Sequence, residues 1–292
     1  MGATVNVNGR VSDDAHAVIS VFDHGFLYGE GVYETLRTYN GHPFLFDRHM
    51  RRLRESAGML SLQVPLTDAE LGARFLDTMR AADVGRDGRE AYIRLLVTRG
   101  VGELSYDPAV CPNPSVVVIV KALVEPAPEV FEHGVKAALV PIVRNHPGSV
   151  NPLIKSNNLL NNALAMQEAV RRGAYEGIMR NYRGELAECT LANLFLVTGG
   201  AALTPPKDAG LLAGITREFI FEIGAARGIP VREQVLKDAD LFGADEAFFT
   251  STTREVVPIV MVDDRAIGSG RPGPVTKALL AGYRQKAQEL SS

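Results

Sequence analysis

Lys155 lies in a stretch of the chain that contains no other charged residue. From Asn145 to Gln167 its neighbours are apolar, amide or hydroxyl residues, apart from one histidine. A lysine in this setting can cover apolar surface with its stem while its amine reaches solvent. It can also be a desolvated amine, which loses its charge more readily and can form an imine as a nucleophile. The local sequence leaves both interpretations open.

Three other stretches carry polar groups that a buried site would need. Glu188 comes just before an apolar strand predicted at 191–197, and a carboxylate that enters a buried strand needs a partner. Gly214-Ile215-Thr216 opens a predicted helix, whose first N–H groups are unpaired and carry partial positive charge. Arg51 and Arg52 belong to a run of four arginines, and a guanidinium suits phosphate oxygens. Considered alone, each stretch is more typical of an ordinary feature: the glutamate of an exposed acid at a strand end, the glycine stretch of a common helix start, and the arginines of solvated side chains.

Ser251, Thr252 and Thr253 add hydroxyl groups at the end of a further predicted strand. An aldehyde cofactor such as pyridoxal phosphate needs an amine that forms an imine, a phosphate cradle and a partner for its ring nitrogen. The sequence contains a candidate for each of these parts.

The composition limits the other classes of function. The chain has 292 residues, a formal net charge of −3 and two cysteines. This charge gives no reason to expect a nucleic acid or an anionic membrane as partner, and no window approaches about 18 apolar residues in a row. Neither a disulfide framework nor a zinc or other metal site is predicted. Without a signal-like N-terminus, a reducing cytoplasm is the expected location.

The predicted elements mix helices and hairpins without strict alternation. This pattern predicts a mixed α/β (α+β) fold with two domains, at 1–123 and 131–292, and a proline-stiffened linker at 124–130. Pro152 favours an extended approach to Lys155, and Ser156 is the expected N-cap of a helix that Gly173 ends. A second helix is expected to start with Asp47 as N-cap. The long loop 99–114 has a length typical of functional loops.

Seven motifs occur in an order that resembles a known family. They are Tyr28-Gly29-Glu30-Gly31-Val32-Tyr33-Glu34, His49-Met50-Arg51-Arg52-Leu53, Ile154-Lys155-Ser156, Leu186-Ala187-Glu188 followed by Asn193-Leu194-Phe195, Gly214-Ile215-Thr216-Arg217, Ser251-Thr252-Thr253-Arg254-Glu255-Val256 with Pro258, and Gly273-Pro274-Val275-Thr276-Lys277. The set resembles the class IV (fold-type IV) pyridoxal-phosphate aminotransferases. That family includes branched-chain aminotransferases, D-amino acid aminotransferases and aminodeoxychorismate lyases.

The resemblance implies a role for each matching residue. Lys155 matches the Schiff-base lysine and Glu188 the partner of the pyridine nitrogen. The implied phosphate contacts are Arg52, Ile215, Thr216 and Thr252. Leu160 stands where the branched-chain enzymes have a tyrosine near the phenolic oxygen of the cofactor, and leucine cannot make that hydrogen bond. The family also implies a homodimer with the site near its interface.

The substrate signals divide between two branches of the family. Arg37, Tyr92 and Arg94 resemble the branched-chain enzymes, and Thr253 is expected on the substrate side of its motif. Tyr33 and Thr98-Arg99-Gly100 resemble the D-amino acid branch, but the loop that follows lacks that branch's basic pair. We therefore expect transfer of an amino group between a branched-chain L-amino acid and a 2-oxo acid such as 2-oxoglutarate. The alternatives are a D-amino acid transaminase and an (R)-amine transaminase. An aminodeoxychorismate lyase is a less favoured alternative.

Two further classes of function are weaker explanations of the sequence. A nicotinamide-dependent dehydrogenase would require GxGxxG, but Glu34 stands where the third glycine belongs after Gly29 and Gly31. A non-catalytic α/β binding domain would need none of the set Lys155, Glu188 and Arg52.

Overall fold

The structure is a computed structural model that describes residues 2–291. By their internal contacts these residues form two units. The first contains residues 2–124, Ile154–Leu159 and Ser291, and the second contains Glu125–Leu153 and Leu160–Leu290. The short segment that carries Lys155 therefore packs with the first unit, although its neighbours along the chain belong to the second.

The first unit is built on a six-stranded antiparallel sheet. Its elements are β1 (Thr4–Val7), β2 (Arg10–Asp13), α1 (His24–Leu27), β3 (Gly31–Tyr39), β4 (His42–Pro43), α2 (Phe46–Met59), α3 (Asp68–Ala81), β5 (Ala91–Thr98) and β6 (Ser115–Ala122). The strand order is β2-β1-β6-β5-β3-β4. Apolar side chains from β3, β5, β6, α2 and α3 form its core, including Val32, Leu36, Met50, Leu53, Phe75 and Ile93.

Local sequence explains where the helices of the first unit begin. The Thr67 hydroxyl accepts a hydrogen bond from the Glu70 N–H, and the Glu70 carboxylate accepts one from the Thr67 N–H, so α3 starts with a capping box. The prediction of Asp47 as the N-cap of α2 is wrong. Leu45 takes that position with φ of 51°, and Asp47 lies in the first helical turn, where its charge suits the helix dipole.

The second unit is built on a nine-stranded mixed sheet. Its elements are α4 (Pro128–His133), β7 (Val135–Leu139), α5 (Leu160–Arg171), β8 (Glu176–Arg180), β9 (Leu186–Cys189), β10 (Asn193–Thr198), β11 (Ala201–Thr204), α6 (Ile215–Arg227), β12 (Val231–Glu233), α7 (Asp238–Gly243), β13 (Glu246–Ser251), β14 (Glu255–Val262), β15 (Arg265–Ala266) and α8 (Pro274–Leu290). The order is β12-β11-β10-β13-β14-β7-β8-β9, with β15 beside β14. Parallel and antiparallel pairs coexist, so the predicted mixed fold is confirmed.

The start of the helix after Lys155 differs from the prediction. Ser156 forms a bridge with Val32 instead of capping a helix, and α5 begins at Leu160. The buried side of α5 is formed by Ala165, Glu168 and Ala169, while 66% of Leu160 is exposed. The helix predicted after Lys155 is therefore present, and Leu160 lies on its exposed side.

Other predicted boundaries shift for physical reasons. The strand predicted at 191–197 corresponds to β10, which begins at Asn193, and Glu188 lies inside a separate strand, β9, that precedes it. Helix α4 begins at Pro128, within the predicted linker, because proline fits the first turn of a helix. The motif at 273–277 starts α8: the Glu246 carboxylate accepts hydrogen bonds from the Val275 N–H and from both the N–H and the hydroxyl of Thr276. No helix within residues 2–291 is long and apolar enough to cross a membrane.

Candidate active site

The backbone around Lys155 is bonded on both sides within the first unit. The Lys155 carbonyl accepts a hydrogen bond from the Tyr33 N–H at 2.9 Å, and the Lys155 N–H donates to the Ser56 hydroxyl at 3.1 Å. The Asn157 N–H donates to the Gly31 carbonyl at 2.9 Å. The segment thus continues the sheet beside the first residues of β3. This pairing fixes the point from which the lysine side chain departs.

The amine of Lys155 lies over an aromatic ring that a second cation also contacts. Lys155 Nζ is 4.3 Å from the centroid of the Tyr33 ring, and Arg94 Cζ is 4.2 Å from the same centroid. Arg94 pairs with Thr35 across β3 and β5, which places it on the same face as Tyr33. Burial raises the pKa of the Tyr33 phenol, but Lys155 and Arg94 outweigh burial, so that the pKa is lowered. The arrangement can place an amine and an anion-binding group beside one another.

The opposite face of β3 holds a buried ionic cluster. Glu34 is fully buried and accepts hydrogen bonds from Arg52 Nε at 2.7 Å and from Arg52 Nη2 at 2.8 Å. His49 Nδ1 lies 2.6 Å from the same carboxylate. Burial raises the pKa of Glu34, but Arg52 and His49 outweigh it and hold the pKa well below its usual range. Glu34 therefore fixes the orientation of the Arg52 guanidinium.

The other predicted substrate residues of the first unit, Arg37 and Tyr92, take part in ring contacts of their own. Arg37 is 2% exposed and stacks over Tyr39, with its Cζ 4.0 Å from the ring centroid. Tyr92 pairs with Arg37 across the two strands, and Lys121 lies over its ring. Of the two arginines predicted from the branched-chain resemblance, Arg94 contacts the ring that Lys155 also contacts, and Arg37 contacts the ring of Tyr39.

Arg99, part of the motif that resembles the D-amino acid branch, makes structural contacts. Its Nε donates to the Glu30 carboxylate at 2.7 Å, and its Nη1 and Nη2 donate to the carbonyls of Ser61 and Leu60 at 2.8 and 2.7 Å. These two carbonyls follow the end of α2, where a cation is favourable. Arg99 therefore fixes a loop to a helix end.

In the second unit, Glu188 is a buried carboxylate that accepts hydrogen bonds at both of its oxygens. Arg144 Nε donates to its Oε1 at 2.7 Å, while the Leu212 N–H and Asn193 Nδ2 donate to its Oε2 at 3.1 and 3.3 Å. Arg144 also donates from Nη1 to Asn161 Oδ1 at 3.1 Å. The carboxylate is therefore held in one orientation by an ion pair and a backbone N–H.

The start of α6 lies next to this carboxylate network. Asn193 Nδ2 also donates to the Leu212 carbonyl at 2.9 Å, and a Cβ on Gly214 would lie 1.9 Å from Asn193 Oδ1. Gly214 is the N-cap residue and supplies no side-chain cap. The first N–H groups of a helix have no partner within it and attract anions. The buried residues Ile215 and Thr216 therefore begin a helix whose N-terminus suits a phosphate group.

Thr252 and Thr253 lie in the three-residue turn between β13 and β14. The strands pair Ser251 with Glu255, so the turn consists of residues 252–254. Both threonines are half-buried. Their hydroxyl and N–H groups are the donors that this end of the sheet offers.

Considered unit by unit, these residues fit pyridoxal phosphate. The first unit supplies an amine on a fixed backbone and an arginine held by a buried carboxylate. The second supplies a buried, oriented carboxylate and a helix start at which a Cβ on Gly214 would collide with the Asn193 side chain. Within the described residues, no group of three or more His, Cys, Asp and Glu side chains could hold a metal ion.

Sequence reasoning missed the side chains that orient the predicted ones. Glu34 and His49 orient Arg52, while Arg144 and Asn193 orient Glu188. Glu34 carried a signal, because a carboxylate inside a strand with apolar neighbours needs a buried partner. Arg144 carried none, since its contact joins the residues after β7 to β9.

Comparisons with known proteins identify the family of this chain. Residues 31–262 match the sequence model of the amino-transferase class IV family. A Methanocaldococcus jannaschii protein, provisionally named a branched-chain-amino-acid aminotransferase, is 40% identical over 94% of this chain and 93% of its own. Further relatives at 32% to 35% identity include D-alanine aminotransferases and an aminodeoxychorismate lyase.

Solved structures of branched-chain aminotransferases have a closely similar fold. The branched-chain aminotransferase of Escherichia coli superposes with a TM-score of 0.93 at 31% identity, covering 100% of this chain and 97% of that one. The branched-chain aminotransferase of Thermoproteus uzoniensis, solved with norvaline, has a TM-score of 0.89 at 33% identity and coverages of 99% and 96%. Another branched-chain enzyme, solved with pyridoxamine 5′-phosphate, has a TM-score of 0.92 at 29% identity and coverages of 99% and 95%.

The fold is that of a pyridoxal-phosphate-dependent aminotransferase with mixed sheets and flanking helices. The chain belongs to the class IV aminotransferase family. This family match confirms the cofactor and the type of reaction predicted from the motifs.

Proposed function

We propose that this protein transfers amino groups from branched-chain L-amino acids to 2-oxo acids such as 2-oxoglutarate. The observation that carries the proposal is the contact of Lys155 and Arg94 with the same Tyr33 ring. It puts a backbone-fixed amine beside a cation that can pair with a substrate carboxylate. The relatives named as branched-chain aminotransferases support the choice of substrate.

Each proposed role follows from chemistry available on its own unit. When bound, pyridoxal phosphate supplies an aldehyde that amines attack and a ring that takes up electron density. Lys155 Nζ holds the cofactor and then moves the proton at the substrate Cα. Glu188 keeps a proton on the ring nitrogen. Arg52, Thr252 and the first N–H groups of α6, at Ile215 and Thr216, bind the phosphate.

The substrate roles are assigned to five residues: Tyr33, Arg37, Tyr92, Arg94 and Thr253. Arg94 is proposed to bind a carboxylate, because Arg37 is buried against Tyr39. Tyr92 and Arg37 pair with each other on the same sheet face as Tyr33. Full burial of a branched aliphatic side chain is worth about 1.5–3 kcal/mol, enough to favour leucine, isoleucine or valine over alanine.

A D-amino acid transaminase is the second candidate. It is favoured by Tyr33 and by the D-alanine aminotransferases among the relatives. Against it, Arg99 is engaged by Glu30 and two carbonyls. Leu160, which stands where branched-chain enzymes have a tyrosine, is exposed and offers no hydrogen-bond donor from its side chain for either reaction.

Cofactor attachment is tested by borohydride reduction of the purified protein. We expect the visible absorption band to disappear and peptide mapping to find the cofactor fixed on Lys155. A different modified lysine, or no modification at all, contradicts the proposal and favours the non-catalytic interpretation.

The donor is tested by comparing L-leucine, D-alanine and a chiral arylalkylamine, each with 2-oxoglutarate. L-leucine should be the best donor and D-alanine a poor one. Arg94→Ala should lose at least tenfold in kcat/KM for L-leucine, whereas Arg80→Ala, in an exposed ion pair of the same unit, should lose less than twofold. If D-alanine reacts faster than L-leucine, the branched-chain assignment is wrong.

We also propose that the protein works as a homodimer. Several large apolar side chains are exposed on two segments of the first unit that are joined by hydrogen bonds, the loop before α1 together with α1 itself and the loop after β5: Val18, Ile19, Val21, Phe22, Phe26, Val101, Leu104 and Tyr106. A cluster of this kind marks an interaction surface. Light scattering should give twice the chain mass, and the double variant Phe26→Glu with Leu104→Glu should give the mass of the monomer. A monomeric wild type would refute the proposal.

The proposed location is a reducing cytoplasm. Both cysteines are buried and free, which is consistent with it.

A further inference from the structure

We propose that Arg254 is a positioning residue that holds the turn 252–254 in its binding conformation. The inference rests on the proposed phosphate role of Thr252. Arg254 belongs to this turn, and its side chain reaches back to the strand that leads into it: Nε donates to the Ser251 hydroxyl at 3.2 Å. This bond links the last residue of the turn to the residue before it.

The other side of the guanidinium is fixed to a different strand. Arg254 Nη2 donates to Glu176 Oε2 at 2.8 Å, and Glu176 is the first residue of β8 and fully buried. The other oxygen of Glu176 accepts hydrogen bonds from the Gly177 N–H and from the N–H and hydroxyl of Thr190. Since these donors occupy Oε1, Arg254 is the cation that balances this buried charge at Oε2.

Stacking restricts the arginine further. Its Cζ lies 4.5 Å from the ring centroid of Phe249 in β13 and 5.9 Å from that of Tyr175. An arginine held by a fork of hydrogen bonds and by ring faces loses most of its rotational freedom. Lysine cannot reproduce both contacts.

The backbone of the turn needs such support. Glu255, directly after it, has φ of 59°, a conformation that glycine normally supplies after a three-residue hairpin turn. The Glu255 carboxylate accepts a hydrogen bond from Arg284 Nε of α8 at 2.7 Å. Two arginines thus fix the turn from both ends, and we infer that they orient the N–H and hydroxyl groups of Thr252 before a phosphate arrives.

The test compares binding of pyridoxal phosphate with that of pyridoxal, which lacks the phosphate, by the full chain after removal of bound cofactor. For Arg254→Leu, the Kd of pyridoxal phosphate should rise about tenfold, while that of pyridoxal changes less than twofold. For Arg254→Lys, which keeps the charge near Glu176, the Kd of pyridoxal phosphate should rise about threefold. Thr252→Ala should show the same selective loss, and adding Arg254→Leu to it should weaken binding little further, because both changes affect one contact.

The control is Arg172→Leu, which removes another arginine paired with a mostly buried glutamate in the same unit, Glu168. It should bind both compounds like the wild type. Equal weakening of pyridoxal phosphate and pyridoxal by Arg254→Leu, or equal effects of Arg172→Leu, overturns the inference. A wild type that binds neither compound contradicts the proposed function and the inference with it.

Hydrogen exchange covers the case in which Arg254→Leu does not fold. In Arg254→Lys, the backbone amides of Ser251 and Glu255, which pair across the turn, should exchange about tenfold faster than in the wild type, while those of β10 stay unchanged. Unchanged exchange at these two amides contradicts the positioning role.

Discussion

The buried ionic cluster around Glu34 provides a sharp test of how this protein is stabilised. Replacing Glu34 by glutamine keeps the shape of the side chain but removes its charge. Both carboxylate oxygens accept from Arg52, and His49 approaches one of them. An amide has one acceptor oxygen, so its nitrogen would face a donor. The Arg52 charge would then lose its buried partner.

The expected cost follows from burial. Glu34 is fully buried and the Arg52 side chain is about 10% exposed, so the change removes the carboxylate from a largely buried ion pair. Breaking such a pair from one side costs about 3–5 kcal/mol. We therefore expect Glu34→Gln to lower the free energy of unfolding by about 3 kcal/mol, at the lower end of that range.

A matched control isolates burial from chemistry. Asp68 pairs with Arg54 in the same unit through hydrogen bonds from both Nε and Nη2, but both side chains are more than a third exposed. Exposed pairs are worth about 0–1 kcal/mol, so Asp68→Asn should cost less than about 1 kcal/mol. Urea unfolding followed by circular dichroism suits a chain without tryptophan. If the two variants lose the same stability, the argument from burial is wrong.

Three further predictions concern single residues. Lys155→Ala should fold normally but lose turnover with every amino donor, because it removes the amine that moves the proton; measurable steady-state activity without added amine would contradict this. Glu188→Gln should keep the cofactor but slow the single-turnover reaction at least a hundredfold, since an amide cannot hold the ring nitrogen protonated; an unchanged rate makes Glu188 structural only. Burial lowers the pKa of His49, although the Glu34 carboxylate opposes this effect. Below about pH 6.5, the unfolded chain therefore binds a proton at this histidine that the folded chain does not bind, and the free energy of unfolding decreases. His49→Asn should therefore lose less stability than the wild type between pH 7.5 and 5.5 in urea unfolding, and equal losses would refute that explanation.

Sequence reasoning succeeded where a local signal exists. Thr67 and Glu70 have the spacing of a capping box, which predicts the observed start of α3, and the Asn8-Gly9 pair predicts the tight turn of the first hairpin. Sequence reasoning failed where contacts with distant residues override the local preference. Ser156 has a capping side chain, but its backbone is used by Val32, so the helix starts only at Leu160.

The candidate site divides in the same way. The residue types and their order along the chain identified the family and the cofactor without any structure, and they predicted Lys155, Glu188 and Arg52 as members of the site. The roles proposed for these members need chemistry that few residue types can supply, so candidates for them can be found in the sequence.

What only the tertiary structure decided is which side chains meet. Lys155 and Arg94 share the Tyr33 ring, Glu34 holds Arg52, and Arg144 holds Glu188. Glu176 and Arg254 are 78 residues apart in sequence. Such pairs come from strand register and from the packing of helices on sheets, which join distant segments, and no local pattern of residues records which distant partner a buried charge will find.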